Sequence, residues 1–339
     1  MSCYYSSRFF RKPSFGCGFF CPLLQDRFAT QHDIRVVWRF CVQKATIRPE
    51  ANPLSKYRYP LLVFLGGACY GILSTIVKLA YAAGIDRSGV SSGQFFFGIA
   101  LLLLPAWRTR PQHLTVRQVL ILLAAGLPTG ATTLFYYHAL ETISASLAVV
   151  LLFQYILIAM LFETLLHRSC PSRQKIVALL LLLPGSLLAS GVLTGGPLAA
   201  DARGIILGLL SALSYAILLL VSGTVAPDVP PVFKATIMAC GGGLIVFAAL
   251  PPLFLTSGTA FLSVLPYGLP LGLLGVTLPP LLFAIGIPHT GVGLAGILTS
   301  SELIIAMLSA CFILGEPVSA PAWFGIALIF SGIVIGNRQ

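Results

Sequence analysis

From Pro60 to its C-terminal end the chain reads as a succession of apolar segments, each close to the roughly 20 residues that an α-helix needs to cross a bilayer. We place ten, over 60–82, 89–107, 117–139, 143–165, 174–194, 203–223, 233–254, 265–287, 291–314 and 319–336. Most are separated by short connections marked by Pro, Gly or charge. Inside hydrocarbon no water satisfies the peptide groups, so segments of this length are read as helices. Composition bears on this directly. Of the 339 residues 57% are hydrophobic and only 9% charged, with a mean hydropathy of +0.93. A soluble domain carries about a quarter charged residues, so a water-soluble globule is excluded. A disordered chain is excluded by the same numbers. The expected fold is an all-α polytopic membrane protein, and the bilayer is its first partner.

The formal charge of +11 divides at Pro60. Residues 1–59 carry ten Lys/Arg against Asp26, Asp33 and Glu50, while the remaining body is nearly neutral. This basic extension has three readings. It is a disordered cytoplasmic tail attracted to anionic lipid, an organelle transit peptide, or a stretch ahead of a natural start near Leu54. A basic tail without a folded platform does not make a nucleic-acid-binding domain, so no nucleic-acid partner is expected. In the body, Arg108, Arg110 and Arg117 flank the second loop, Arg168, Arg173 and Lys175 the fourth, and Lys234 follows the sixth span. Lys/Arg excess marks the cytoplasmic side. Both termini are therefore expected in the cytoplasm, with the chain in a bacterial inner membrane, or in an organelle membrane if 1–59 is a transit peptide.

Cys69, Cys240 and Cys311 fall inside spans and Cys170 in a cytoplasmic loop, which leaves no extracellular disulfide framework. Cys17 and Cys21 form a close pair, but without a second pair or histidines at zinc spacing they indicate no metal. No cofactor is called for.

The chain also repeats itself. Shifted by 147 positions, Leu147-Ala148 falls on Leu294-Ala295, and the run Ile158 to Leu161 falls on Ile305 to Leu308. Leu151, Ser172, Leu181 and Gly185 likewise meet Leu298, Ser319, Leu328 and Gly332. At 145 positions, Tyr70 and Ile72-Leu73 meet Tyr215 and Ile217-Leu218. Five spans per repeat, an odd number, send the second repeat into the membrane upside down. Two inverted five-helix repeats, 60–194 and 203–336, are the architecture of secondary transporters, with the solute path near the midplane between them.

At these residues the chain resembles an EamA-type member of the drug/metabolite transporter superfamily. The resemblance rests on the run Phe135 to Leu140 (FYYHAL) with Ser144 to Ala148 (SASLA) in the first half. In the second half it rests on Ser301-Glu302, Leu314 to Pro317 (LGEP) and Gly325 to Gly332 (GIALIFSG). It covers about 60–336 and implies a ten-helix carrier of small metabolites or amino acids, often an exporter. The family pattern places a proline directly after the glutamate matched by Glu302. Here that position is Leu303, and the equivalent Gln154-Tyr155 also lacks proline.

An ionisable group at mid-bilayer costs about 2.5–3.5 kcal/mol on insertion scales and therefore usually faces a cavity. Glu302 lies at the centre of the ninth span. It can bind a cation or a substrate amine, or carry a coupling proton; the alternative is a carboxyl that merely ties helices together. The 147 shift sets Gln154 and Tyr155 opposite Ser301 and Glu302, so these four, with Tyr70 and Tyr215, are the candidate substrate- and proton-binding residues. Interhelical hydrogen bonding is the competing reading for the polar ones. Lys78 can snorkel outward, Glu163 lies near the cytoplasmic end of span four, and Glu141, Glu316 and His138 sit at helix junctions.

Gly126, Pro128 and Gly130 are expected to interrupt span three, and Gly275 to Thr277 with Pro279 and Pro280 to interrupt span eight. Pro128, Gly130, Pro279 and Pro280 are thus candidate hinges. Gly241 to Gly243 permit close approach of span seven or a hinge in it. Together the expectation is a carrier moving a small-molecule substrate by alternating access, exporting it with proton coupling, as a monomer or a homodimer. An intramembrane enzyme or a channel is the rival. No HExxH or GxSG-like element supports the first, and the internal repeat favours a carrier over the second.

Overall fold

The structure is a computed structural model that describes residues 55–108, 114–139, 142–143, 145–167, 171–189, 201–315 and 319–337. Every regular element among them is helical. Helices α1 (Ser55–Ala82), α2 (Arg87–Arg108) and α3 (Val116–Ala139) are followed by a broken rod, α4 (Ala145–Leu152) and α5 (Tyr155–His167), and by α6 (Arg173–Ala189). After the stretch 190–200 come α7 (Ala202–Thr224) and α8 (Pro231–Ala249). A short 3₁₀ turn (Leu253–Thr256) leads to α9 (Gly258–Leu271), a π turn (Gly272–Thr277) and α10 (Leu278–Thr290). A second broken rod, α11 (Val292–Leu298) and α12 (Ser301–Leu314), precedes α13 (Ala320–Gly336).

Among the described residues, seven helical stretches are long and apolar enough to cross a membrane, and Val150–Leu166 and Ala320–Gly336 are shorter apolar helices. Their outer faces carry Leu104, Trp107, Leu180, Leu244, Phe312 and Phe324, all exposed. In water such a surface would be a large apolar patch; in a bilayer it is the lipid contact. The chain is an integral membrane protein.

The helices approach through glycine. A Cβ added at Gly126 of α3 would collide with the Met238 carbonyl of α8, and one at Gly130 with the Gly242 carbonyl. From the other side, Gly241 meets the Leu123 carbonyl. This bears out the reading of Gly241 to Gly243 and corrects that of span three. The stretch around Pro128 and Gly130 does not interrupt α3, which runs unbroken through Pro128. Neighbouring helices hold a proline-bearing helix together in a membrane, and Pro60, Pro105 and Pro184 are carried within helices in the same way.

Span eight is also longer than expected. Helix begins at Gly258 rather than near 265, because the Ser257 side chain caps it by accepting from the Ala260 N–H at 3.2 Å. Its interruption is the π turn Gly272–Thr277, just ahead of Pro279 and Pro280. There Thr277 Oγ1 donates to the Gly98 carbonyl of α2 at 3.1 Å and to Gly272 at 3.0 Å.

Gly126→Ala is expected to cost about 1–3 kcal/mol by overpacking against backbone, read as a lower Tm of the purified protein in detergent. Gly258→Ala, where an added Cβ meets nothing within 4 Å, should leave Tm unchanged.

Candidate functional site

Two helix breaks organise the centre of the protein. Spans four and nine, which lack the family's proline, each break where polar residues sit: at Phe153-Gln154 between α4 and α5, and at Thr299-Ser300 between α11 and α12. Neither break uses proline. Both tighten into 3₁₀-like turns, with Gln154 N donating to Leu151 O and Ile156 N to Phe153 O at 3.2 Å in the first. In the second, Ser300 N donates to Ile297 O at 3.2 Å and Glu302 N to Thr299 O at 3.0 Å. Side chains then bond back to carbonyls of the preceding turn. Gln154 Nε2 donates to Val150 O at 3.1 Å, Thr299 Oγ1 to Ala295 O at 2.9 Å, and Ser300 Oγ to Gly296 O at 3.3 Å. Polar side chains that bond the preceding turn compete with the helical ladder, and here they satisfy the ends they create.

The second break puts Glu302 in the first turn of α12. Tyr70, Tyr136, Tyr155 and Tyr215 all lie within electrostatic reach of its carboxyl. The Tyr155 and Tyr215 rings meet edge to face at 4.5 Å, and Tyr70 packs edge-on at 6.0 Å against both Tyr215 and Phe283. Tyr155 and Tyr215 are buried, whereas Tyr70, Tyr136 and Glu302 are half-buried among core residues. Tyr155 Oη shares a hydrogen bond with Thr299 Oγ1 at 3.0 Å, which joins the two breaks. Tyr215 Oη and Glu302 Oε2 are shielded from solvent and have no hydrogen-bond partner among the described residues.

Of the residues singled out in the sequence, the structure thus gathers Glu302, Tyr155, Tyr70 and Tyr215. Ser301 and Gln154 are occupied otherwise. Ser301 is fully buried and donates to the Phe64 carbonyl of α1 at 2.7 Å, tying α1 to α12. Gln154 serves its own half-helix. Sequence reasoning missed Tyr136, Phe283 and Thr299. A signal for the first two existed: Tyr136 and Phe283 stand at the same 147-residue shift as Tyr155 and Glu302. The cluster contains three pairs related by shifts of 145 or 147 positions, Tyr70 with Tyr215, Tyr136 with Phe283 and Tyr155 with Glu302, and only the last pairs a tyrosine with a carboxylate.

The other charges lie apart from this centre. Glu163 accepts from Lys175 Nζ at 2.7 Å, and its carboxylate presses on Gly291 and Gly293 at the start of α11. Gly291 has φ of +81°, so a side chain there would be strained as well as crowded. Buried Lys234 donates to the Ser222 carbonyl at 2.7 Å. His289 stacks on Tyr59 at 3.7 Å, while Lys78 and His138 are exposed. Glu141 and Glu316 lie outside the described residues.

The pattern of the EamA-like transporter family matches this chain twice, over residues 58–191 and 202–338. A protein of Archaeoglobus fulgidus named as an uncharacterized transporter is 28% identical over 279 residues, covering 82% of this chain and 95% of that one. The uncharacterized transporter YwfM of Bacillus subtilis is 25% identical over 282 residues, with 82% and 93% covered. A chain in a solved crystal structure shares the fold with a TM-score of 0.68 at 18% identity, covering 83% of this chain and 98% of its own length.

Thr299→Val removes the partner of Tyr155 Oη together with the carbonyl bonds at the break. Leaving a buried hydroxyl unmatched costs about 1–3 kcal/mol, so a clear fall in Tm is expected, while Ser331→Ala, an exposed intrahelical hydroxyl, should not move it.

Proposed function

The chain belongs to the EamA-like transporter family, and we propose that it is a secondary active carrier that exports a small organic metabolite, an amino acid or related solute, in exchange for protons. Family membership points to transport rather than catalysis. The working unit in this reading is ten spans in two inverted five-helix halves, 60–194 and 203–336, with both termini in the cytoplasm of a bacterial cell. The packing supports such a layout. α3 packs on α7 and α8, and its counterpart α9–α10 packs on α1 and α2. α1 packs on α12 as α7 packs on α4 and α5, and α6 packs on α13. Exchanging each span of one half for its partner in the other leaves this set of neighbours unchanged, as a pseudo-two-fold axis requires.

Glu302 carries the proposal. Its carboxyl sits at a helix break in the protein interior, beside repeat-related aromatic residues, with one oxygen unbonded. An uncompensated carboxylate in such a setting is costly, so a proton or a positively charged group of the solute meets it in turn. A group that must hold one or the other couples the two fluxes. Broken helices at equivalent places in both halves are where carriers bind their solutes, and the break residues here adjoin Glu302 and Tyr155.

Purified protein in liposomes, screened for counterflow of amino acids and metabolites with and without a pH gradient, should show saturable transport that the gradient accelerates. Glu302→Gln, at normal expression, should lose the gradient-driven component by a factor of about ten or more, a few kcal/mol at most in the transition state. Wild-type rates in that variant would refute the role.

A further inference from the structure

The unbonded atoms at the centre specify what kind of solute fits. Tyr215 Oη and Glu302 Oε2 are both buried and both lack a partner, including each other, among the described residues. Buried polar atoms are nearly always paired, so two orphans in one aromatic cluster mark a place prepared for a group that bonds both. An ionised carboxyl only accepts hydrogen bonds, and a phenol oxygen can accept as well as donate. The group that satisfies both as acceptors is an N–H-bearing cation. The rings of Tyr70, Tyr136 and Tyr155 lie within electrostatic reach of the carboxyl, and aromatic rings attract positive charge through their quadrupoles while offering carbon to an apolar skeleton. The repeat fixes how much charge is matched. The position equivalent to Glu302 is Tyr155, whose hydroxyl is already held by Thr299 at 3.0 Å. One carboxylate neutralises one positive charge.

We propose that the solute is recognised by a protonated primary or secondary amine, a monoammonium group held between Glu302 and Tyr215 with its hydrocarbon part against the tyrosine rings. This deepens the carrier reading and rests on it. A quaternary ammonium has the charge but no N–H, and leaves both orphans unbonded. An organic anion meets the carboxylate with like charge. A structural role for the cluster makes different demands: Tyr215→Phe, which only removes an unbonded hydroxyl, would be neutral for stability and without effect on any ligand.

The test is thermal unfolding of the full-length protein in detergent, titrated with propylamine, benzylamine and phenethylamine, and in parallel with benzyltrimethylammonium and benzoate. At least one primary amine should raise Tm in a saturable manner, with a midpoint about ten-fold lower than that of the quaternary analogue, and benzoate should do nothing. Tyr215→Phe should raise the amine midpoint about ten-fold or more, as loss of one hydrogen bond to a charged group does, and Glu302→Gln should abolish the response. If Glu302→Gln fails to fold, Tyr215→Phe decides, because its ring packing is kept. The proposal falls if no amine shifts Tm, if the quaternary analogue matches the amines, or if Tyr215→Phe titrates like wild type. Should gradient-driven transport of another solute depend on Glu302 while no amine binds, the carrier reading survives and this inference alone fails.

Discussion

Peptide groups buried away from water must find partners within the protein, and much of this structure follows from how that requirement is met. Where the ladder of helical hydrogen bonds runs uninterrupted, it is met locally and the side chains are free to be apolar. Pro128 removes one such bond from α3, and close packing on α8 at Gly126 and Gly130 accompanies a helix that nonetheless runs on. Where the ladder is interrupted, something else has to accept or donate. At the two breaks it is Gln154, Thr299 and Ser300, each reaching back to a carbonyl of the preceding turn. At the π turn it is Thr277, whose hydroxyl also bonds the neighbouring α2. The polar residues in these otherwise apolar rods thus have a first task in holding irregular backbone at depth.

That task separates residues that look alike in the sequence. Ser301 and Glu302 are adjacent and equally unexpected in a membrane span, but Ser301 is spent on the Phe64 carbonyl while Glu302 keeps an oxygen unbonded. Tyr155 and Tyr215 pack against each other, and one hydroxyl is paired with Thr299 while the other is not. What remains after the backbone and the packing have been served is a small set of unbonded polar atoms, Tyr215 Oη and Glu302 Oε2 among them.

Much of the helical layout was legible from hydropathy, because segments of about 20 apolar residues have few alternatives to a helix. The place of Glu302 in the protein interior was legible too, since a charge in the middle of an apolar span stands out whatever surrounds it. Breaks in spans four and nine were not. Proline is the signal usually read for a broken membrane helix, and these breaks are made by hydroxyl and amide side chains that also occur in intact helices. The reverse error occurred at Pro128, where a strong local signal is overridden by packing against α8. Tyr136 and Phe283 escaped notice because an aromatic residue in an apolar helix has nothing unusual about it taken singly. Only the shift that relates them marks them out.

The glycine contacts also bear on how the molecule can move. Gly126 and Gly130 meet Met238 and Gly242, Gly98 meets Gly272, Gly71 meets the Glu302 carbonyl, and Gly185 meets Gly325. Each of these contacts joins a helix before the 190–200 stretch to one after it. Interdigitated side chains lock two helices like gear teeth, and shifting them requires rotamers to change and ridges to climb out of grooves. At Gly126 and Gly130 backbone rests on backbone alone, with few teeth to disengage, whereas Val276 seats at Gly98, Ile305 at Gly71 and Ile329 at Gly185. Small shear steps therefore meet the least resistance where α3 lies on α8.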